Sequence, residues 1–303
     1  MPPKVPSRTP SPFRILSEAP AERPRLPEWF RVRHQLGSDY EQVRKLVSDR
    51  NLNTVCQEAN CPNIRECWQH RTATFMILGD ICTRACTFCD VIKGRPQGVD
   101  RTEPARVADA AAELGLRYVV VTSVDRDDLE DGGAEIFAAT IRALRAQIPH
   151  VEVEVLIPDF QGKQGALETV LAAAPDVLNH NLETVPRLYP TVRRGAKYGQ
   201  SLELLRRVRA LKPDMTTKSG LMVGLGERVS ELAGTMKEIR AAGCDLLTIG
   251  QYLAPSAHHH PVIQFYHPRT FERLARYGKA LGFRNVFSGP LVRSSYHAFE
   301  QHA

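Results

Sequence analysis

The chain has 303 residues, of which 43% are hydrophobic and 24% charged, and it carries a formal net charge of +6 with a pI near 9.0. This composition is that of a globular protein with a large core and is unlike that of disordered or fibrous chains. The longest apolar runs, such as 118–121 and 246–249, are far too short to cross a bilayer, so no membrane segment is predicted.

The positive charge permits an acidic protein or a nucleic acid as partner, through long-range attraction. Basic residues are spread along the chain, apart from a small concentration at Arg193, Arg194 and Lys197. Nucleic-acid-binding domains gather basic and aromatic residues on one surface or carry a known binding motif, and neither pattern occurs in this sequence. We therefore predict no nucleic-acid partner.

Residues 1–27 are rich in proline and contain no acidic residue before Glu18. This composition predicts a flexible, extended arm. A mitochondrial transit peptide is also basic, but it forms an amphipathic helix, which the prolines at positions 2, 3, 6, 10 and 12 disfavour. An arm is therefore the favoured interpretation.

An N-terminal extension is predicted for residues 28–71. The spacing of its apolar residues, with acidic residues at the start, predicts a short helix over residues 38–50. A first cysteine triplet follows in the spacing C-x4-C-x5-C, formed by Cys56, Cys61 and Cys67. Thiolate sulfur is the ligand that iron–sulfur clusters require, so three cysteines can hold three irons of a 4Fe–4S cubane and leave the fourth iron open.

From residue 72 to residue 260, apolar strands alternate with amphipathic helices. The predicted strands are 73–78, 118–122, 151–157, 177–181, 217–222 and 246–249. The predicted helices between them include 104–114, 134–147, 164–173, 201–211 and 229–242. Connections of helical length imply a parallel sheet, so the predicted fold is α/β, with six βα units, two short of a full eight-unit barrel. Residues 261–303 are predicted to be a C-terminal extension.

A second cysteine triplet follows the first of these strands, at the carboxyl end of the sheet where such folds build their sites. Its members are Cys82, Cys86 and Cys89, in the spacing C-x3-C-x2-C, with Phe88 before the last cysteine. This segment resembles the signature of the radical S-adenosylmethionine (SAM) superfamily. The resemblance implies that the six βα units form a partial TIM-type barrel. It also implies that these cysteines hold a 4Fe–4S cluster whose open iron chelates SAM, that SAM is cleaved to a 5′-deoxyadenosyl radical, and that Phe88 lies beside the adenine.

Disulfides and structural zinc are the two alternatives to iron–sulfur clusters for these cysteines. Disulfide frameworks belong to short secreted chains, whereas this chain is long, has no predicted signal peptide and carries seven cysteines, an odd number. Structural zinc usually takes four ligands in paired C-x2-C knuckles, which neither triplet supplies. The seventh cysteine, Cys244, is interpreted as a buried small residue. Reduced cysteines indicate a cytoplasmic location.

Polar residues at the ends of the later strands or just beyond them, and one at the beginning of the fifth strand, Lys218, are candidate contacts for SAM or substrate. They are Thr122, Ser123, Asp125, Asn181, Glu183, Lys218 and Gln251. Thr122, Ser123 and Asp125 follow the second strand, where the radical SAM superfamily commonly contacts the methionine part of SAM. For each of these residues a fold-stabilising hydrogen bond is an equally good interpretation.

Two further segments narrow the prediction, CQEANCPNIRECW at 56–68 and VRSSYHA at 292–298. Together with TSVDRDDL at 122–129 and GQYL at 250–253, they resemble the lipoyl synthase family, and the resemblance extends over residues 27–300. It implies that the first triplet holds an auxiliary 4Fe–4S cluster whose fourth ligand is Ser295, with Ser294 as the alternative. Considered alone, the serine pair is better interpreted as a turn.

The implied activity is that of a radical SAM sulfurtransferase, which converts an octanoyl group on a lysine of a carrier domain into a lipoyl group. Sulfur is inserted at C6 and C8, and the auxiliary cluster is the sulfur donor. A serine oxygen binds iron less tightly than thiolate, so such a cluster can be opened. The implied partners are the lipoyl carrier domains of 2-oxoacid dehydrogenase E2 subunits or of the glycine cleavage H protein, and an electron donor such as ferredoxin or flavodoxin.

A radical SAM enzyme that adds methylthio groups to transfer RNA is the main alternative, since it also carries two clusters. Such an enzyme normally has an additional RNA-binding domain, for which we expect no room after residue 300. A zinc-stabilised binding protein is a third, weaker hypothesis.

Overall fold

The computed structural model describes residues 25–30, 38–70 and 72–302, so residues 1–24 of the predicted arm lie outside the described residues. The β-strands are β1 (Asn53–Thr54), β2 (Thr74–Ile77), β3 (Ile81–Cys82), β4 (Ile92–Lys93), β5 (Tyr118–Ser123), β6 (Glu152–Leu156), β7 (Val177–Asn179), β8 (Thr216–Val223), β9 (Leu246–Gln251) and β10 (Asn285–Gly289).

The α-helices are α1 (Ser38–Asp49), α2 (Val55–Glu58), α3 (Ile64–Gln69), α4 (Glu103–Glu113), α5 (Ala134–Gln147), α6 (Ala166–Ala172), α7 (Tyr189–Val192), α8 (Tyr198–Leu211), α9 (Val229–Ala241), α10 (Pro268–Ala280) and α11 (Ala298–His302). Short 3-10 helices lie at Glu28–Phe30, Phe160–Gly162 and Pro186–Leu188. In the part of the chain that the structure describes, no helix combines the length and the apolar character needed to cross a membrane.

The predicted parallel sheet of six βα units is confirmed. Strands β2, β5, β6, β7, β8 and β9 are neighbours in that order, and every pairing between them is parallel. Each of the six strands begins and ends within two residues of its predicted bounds. Because the strands run in one direction, their carboxyl ends lie along one edge of the sheet, which the cysteine-bearing loop after β2 also reaches.

The two extensions each add a strand to this sheet. Strand β1 pairs antiparallel with β2, and β10 pairs parallel with β9, which gives an eight-stranded sheet. Strand β10 was not predicted, because its sequence NVFSG is short and mostly half-buried and lacks a clear apolar run. The predicted C-terminal extension therefore continues the sheet before it turns back towards the cysteines.

A buried ion pair lies within the core of the sheet. Lys218 Nζ lies 2.8 and 2.9 Å from the two carboxylate oxygens of Glu154, and both side chains are at most 1% exposed. The same carboxylate accepts hydrogen bonds from Asn179 Nδ2 at 3.1 Å and from Tyr118 Oη at 2.7 Å. A buried pair of charges is tolerated when further hydrogen bonds satisfy it, so this network joins β5, β6, β7 and β8 in one register.

The C-terminal segment approaches the sheet most closely at Gly250 in β9. A Cβ atom on Gly250 would lie 2.0 Å from the carbonyl oxygen of Val292 and 3.0 Å from its carbonyl carbon. Only glycine leaves room for this contact. The contact brings the segment that carries Ser294 and Ser295 across the carboxyl end of β9.

We expect Gly250→Ala to destabilise the protein by about 1–3 kcal/mol and to displace the C-terminal segment, because the new methyl group overlaps a backbone carbonyl. The matched control is Gly234→Ala in α9, where no heavy atom outside the helix's own backbone lies within 4 Å of an added Cβ. That change should be neutral or stabilising by up to about 1 kcal/mol. Urea unfolding measures both effects, and equal stability of the two variants would contradict the proposed contact.

Candidate active site

The second cysteine triplet lies on the loop between β2 and α4. Cys82 ends β3, and Cys86 and Cys89 follow it with partly buried side chains. Burial, together with the Asp125 carboxylate, raises the pKa of Cys82 to about 12, and burial also raises the pKa of Cys86 to about 12. Buried thiols become thiolates when a metal binds them, because the metal charge replaces the lost hydration.

Thr83 and Arg84 fasten this loop to the rest of the barrel. Arg84 is buried, and its Nε and Nη2 atoms each donate to Asp127 at 2.9 Å, while Nη2 also donates to Asp159. Thr83 Oγ1 donates to the Asp125 carbonyl at 2.9 Å. These contacts join the loop to the segments after β5 and β6. Sequence reasoning missed Arg84, because an arginine between two cysteines gives no sign of its distant carboxylate partners.

Three predicted contact residues lie at the carboxyl end of β5, with Thr122 and Ser123 in its last two positions and Asp125 just after it, and their side chains have different surroundings. Thr122 Oγ1 donates to the Leu156 carbonyl at 2.8 Å, which ties β5 to β6. Asp125 Oδ2 lies 3.7 Å from Cys82 Sγ, and burial raises the pKa of this carboxyl group against the opposing charge of Arg84. Ser123 Oγ is buried and has no hydrogen-bond partner among the described residues. An unsatisfied buried hydroxyl calls for a partner, and a bound ligand can supply one.

Strand β7 ends at Asn179, so Asn181 and Glu183 lie beyond it, whereas the predicted strand extended to residue 181. Asn181 Nδ2 donates to Ser294 Oγ at 3.3 Å, and its Oδ1 is buried without a partner in the described chain. Glu183 has a φ of +68°, and its N–H donates to the Gly220 carbonyl at 2.9 Å. Burial raises the pKa of the Glu183 carboxyl group, and the charge of Arg193 partly offsets this effect.

Lys218, Gln251 and Phe88 are already engaged by the protein. The Lys218 ammonium group is held by Glu154 inside the sheet. Gln251 Nε2 donates to the Gln264 carbonyl at 2.9 Å, and its Oε1 accepts from Tyr266 N at 2.9 Å, so its amide fixes the loop after β9. Phe88 is half-buried against the apolar cluster formed by the later strands. The contacts of Lys218 and those of Gln251 each fit a fold-stabilising role.

The first triplet shares a cavity with the C-terminal segment. Cys56 lies in α2 and Cys67 in α3, with Cys61 in the turn between the helices. The cavity is small and partly open to solvent. Its lining consists of Cys56, Cys61, Asn63, Cys67, Thr72, Thr74, Arg293, Ser295 and Tyr296. Burial raises the pKa of Cys56 to about 11, with the neighbouring Cys61 adding to the shift.

The two serines of the C-terminal segment have different surroundings. Ser295 lines the cavity with the three cysteines, whereas the hydroxyl of Ser294 meets Asn181. Of the two residues, Ser295 is therefore the one whose side chain is available to the first triplet.

Both triplets have donor sets that fit iron–sulfur clusters. Each supplies three soft sulfur atoms at a partly buried site, as such clusters require. Within residues 25–30, 38–70 and 72–302, no three His, Cys, Asp or Glu side chains meet closely enough to hold a single metal ion. In a cluster the three cysteines of a triplet would bind three separate irons, which leaves the fourth iron to another ligand.

Glu66 and Asn63 hold the C-terminal segment over the first triplet. Glu66 Oε1 accepts a hydrogen bond from Tyr296 Oη at 2.7 Å and lies 3.3 Å from His297 Nε2. Asn63 Nδ2 donates to the Leu291 carbonyl at 2.8 Å. Sequence reasoning noted both residues only as letters of the motif, because nothing local connects them to partners more than 200 residues away.

A buried chain of hydrogen bonds stands behind the second triplet. Arg193 Nη1 donates to Ser201 Oγ at 3.0 Å, and His180 Nε2 lies 3.0 Å from the same oxygen. His180 Nδ1 lies 2.8 Å from the Ile157 carbonyl, so a neutral ring with its proton on Nδ1 completes the chain. Burial, followed by the charge of Arg193, lowers the pKa of His180 to about 4. In the sequence Arg193 stood out only as one of a local group of basic residues.

The chain is similar to two described families. A family model described as the radical SAM superfamily matches residues 76–239. A second, described as the N-terminal domain of lipoyl synthase of the radical SAM family, matches residues 14–61.

Several curated relatives are named lipoyl synthase. That of Rubrobacter xylanophilus is 56% identical over 275 residues, which is 91% of this chain and 86% of the relative. That of Acidithiobacillus ferrooxidans is 57% identical over 281 residues, covering 92% of this chain and 89% of the relative. That of Symbiobacterium thermophilum is 57% identical over 287 residues, covering 95% of this chain and 90% of the relative.

Solved structures share the fold at low sequence identity. Methylornithine synthase (PylB) has a TM-score of 0.53 at 13% identity and covers 84% of this chain and 82% of that one. Streptococcus suis SuiB bound to S-adenosylmethionine has a TM-score of 0.52 at 11% identity, and the match covers 72% of this chain and 50% of SuiB. These likenesses agree with the parallel sheet described above.

We expect the His180 network to make stability fall as the pH drops. The folded-state pKa of about 4 lies below the ordinary value of 6.5, so between these values the unfolded chain binds the proton and the folded chain does not. From pH ~7 to pH ~5 this costs about 2 kcal/mol. In His180→Gln the urea midpoint should depend less steeply on pH over this range, and an unchanged pH dependence would contradict the assignment.

Removing the Glu66 carboxylate should loosen the C-terminal segment. In Glu66→Ala, Tyr296 loses a charged acceptor, and hydrogen bonds to charged groups contribute about 1.5–3 kcal/mol. We expect faster amide hydrogen exchange over residues 293–298. Glu300→Ala is the control, because Glu300 is half exposed and contacts the same segment only through His297. Equal exchange in the two variants would show that Glu66 does not hold the segment.

Proposed function

The chain belongs to the lipoyl synthase family of the radical SAM superfamily, and from this membership we propose that it inserts sulfur at C6 and C8 of a protein-bound octanoyl group. It is a radical SAM sulfurtransferase whose cofactors are SAM and iron–sulfur clusters. The observation that carries the proposal is the cavity that Cys56, Cys61, Cys67 and Ser295 line together. That cavity supports a second cluster site, which radical formation alone does not require.

Cys82, Cys86 and Cys89 are proposed to hold the cluster that, when bound, supplies the electron for cleavage of SAM. Arg84 keeps the loop of these cysteines fixed against Asp127 and Asp159. The unsatisfied atoms Ser123 Oγ and Asn181 Oδ1 are proposed to bind SAM or substrate, since buried polar atoms normally have partners. Asp125, Glu183 and Phe88 also remain proposed contacts around this loop.

Cys56, Cys61, Cys67 and Ser295 are proposed to hold the auxiliary cluster, which is consumed as the sulfur substrate. A serine oxygen is a harder and weaker ligand of iron than thiolate. The serine lies on a segment held by Glu66 and Asn63, whereas the cysteines belong to short helices of the N-terminal extension. Release of one ligand therefore leaves three in place.

The substrate is a protein-bound octanoyl group, and we propose the lipoyl domains of 2-oxoacid dehydrogenase E2 subunits or the glycine cleavage H protein as its carriers. A ferredoxin or flavodoxin is the proposed electron donor. Seven free cysteines favour a reducing compartment, so the cytoplasm is the proposed location. The transfer-RNA methylthiotransferase and zinc-protein hypotheses are disfavoured, because the lipoyl synthase relatives match this chain over 86–90% of their own lengths.

The direct test is mass spectrometry of an octanoyl-lysine peptide after anaerobic incubation with cluster-loaded enzyme, SAM and dithionite. We expect two sulfur atoms to be added to the peptide and deoxyadenosine to accumulate. If deoxyadenosine forms while the peptide is untouched, the radical chemistry stands and the substrate assignment is wrong.

Two single variants separate the two cysteine sites. Cys82→Ala should abolish deoxyadenosine formation, because the SAM-cleaving site loses a ligand. Cys67→Ala should retain deoxyadenosine formation and lose sulfur insertion. Iron and acid-labile sulfide analysis verifies that each variant retains the other cluster. Loss of SAM cleavage in Cys67→Ala with that cluster intact would contradict the division of roles.

A further inference from the structure

An exposed segment with two cationic side chains lies directly outside the second triplet. We call it the 92–95 surface, formed by Ile92, Lys93 and Arg95. The Ile92 side chain is 44% exposed, and Lys93 and Arg95 are exposed as well. Among the described residues, neither cation has an ion-pair or hydrogen-bond partner. The surface therefore offers an apolar contact beside two free positive charges.

The 92–95 surface is joined to the cysteine loop by the backbone. Strand β4 pairs in parallel with β3, which aligns Lys93 with Cys82, and Gly94 N donates to the Cys82 carbonyl at 2.9 Å. Paired strands lie about 5 Å apart, so the surface is one strand away from a cluster ligand.

The far end of the segment is also fixed. Arg126 is buried, and its Nη2 donates to the Gly98 carbonyl at 2.9 Å while it pairs with Asp128 at 2.9 Å. Val91, at the other end, is buried in the main core cluster. The exposed residues thus belong to an anchored strand-and-loop rather than to a free loop, and a partner can meet them without ordering the chain first.

We propose that the 92–95 surface is the docking site of an acidic, low-potential one-electron carrier protein. Complexes of electron carriers are small and transient, and complementary charge directs their encounter. The surface supplies free cations, one exposed apolar side chain and a short backbone path to Cys82. The chain as a whole is positive, which adds long-range attraction for an acidic carrier.

The inference rests on the proposed function, since each cleavage of SAM consumes one electron. The carrier is oxidised by one electron, and the S–C5′ bond of SAM is reduced and breaks to give methionine and the deoxyadenosyl radical. A reduced flavodoxin would pass from its hydroquinone to its semiquinone. The carrier domain that bears the octanoyl group is the rival occupant, and the test separates it from the electron carrier.

The experiment measures deoxyadenosine formation by cluster-loaded enzyme with an octanoyl-lysine peptide, driven either by flavodoxin with its NADPH-dependent reductase or by dithionite. The test variant is Lys93→Glu/Arg95→Glu, and the control is Arg276→Glu/Lys279→Glu on the exposed face of α10. Each substitution of a cation by glutamate lowers the charge by two, so both double variants lower the formal net charge from +6 to +2. The peptide is too small to need a protein docking surface.

We expect the test variant to lose about 10-fold or more of the flavodoxin-driven rate at low ionic strength, with the deficit narrowing in high salt. Its dithionite-driven rate should match the wild type, and the control should keep most of both rates. An unchanged flavodoxin-driven rate would overturn the proposal, as would an equal loss with dithionite, which would indicate damage to the cluster loop.

A further arm replaces the peptide with a whole octanoylated H protein under dithionite. A loss confined to this substrate would assign the surface to the octanoyl carrier and overturn the electron-carrier proposal. Failure of the proposed function itself is distinguishable, because wild-type enzyme would then cleave SAM without adding sulfur to either substrate.

Discussion

The buried ion pair between Glu154 and Lys218 fixes the frame on which the site is built. With Asn179 and Tyr118 it joins four adjacent parallel strands through side chains that point into the core. Slipping any of these strands by one residue would move its polar side chain to the opposite face and leave a buried charge without its partner. The register therefore also fixes the residues at the carboxyl ends, including Ser123 and Asn181.

The first cysteine site adds a different constraint, because its parts come from opposite ends of the chain. Three cysteines belong to the N-terminal extension, and Ser295 arrives on a segment that has already crossed β9 at Gly250. Asn63 and Glu66 recognise that segment through its backbone and through Tyr296. The site can thus be complete only after β10 has joined the sheet, so its assembly depends on the whole barrel.

The sequence was most informative where local pattern and chemistry coincide. Apolar runs separated by amphipathic helices predicted the six strands, and cysteine spacing predicted both triplets. It could not assign Lys218, whose position near a strand end suggested a ligand contact, because the partner Glu154 lies 64 residues away. The role of Gln251 was ambiguous for a similar reason, because no sequence motif marks Gln264 and Tyr266 as the partners of its side chain. The sequence could not choose between Ser294 and Ser295. The structure distinguishes them, because the Ser294 hydroxyl accepts a hydrogen bond from Asn181 while Ser295 lines the cavity.

The two cysteine sites differ in how their surroundings are held, and this difference matches their proposed uses. The second triplet is fastened by a buried arginine to two carboxylates, and it has the His180 network behind it, so its loop is rigid from several sides. The first site is closed on one side by a segment whose anchors, Glu66 and Tyr296, lie near the surface. A cluster that is used repeatedly benefits from firmly held surroundings like those of the second triplet. One that gives up its sulfur needs a ligand that can be released, and the proposed serine ligand, Ser295, lies on the segment with these outer contacts.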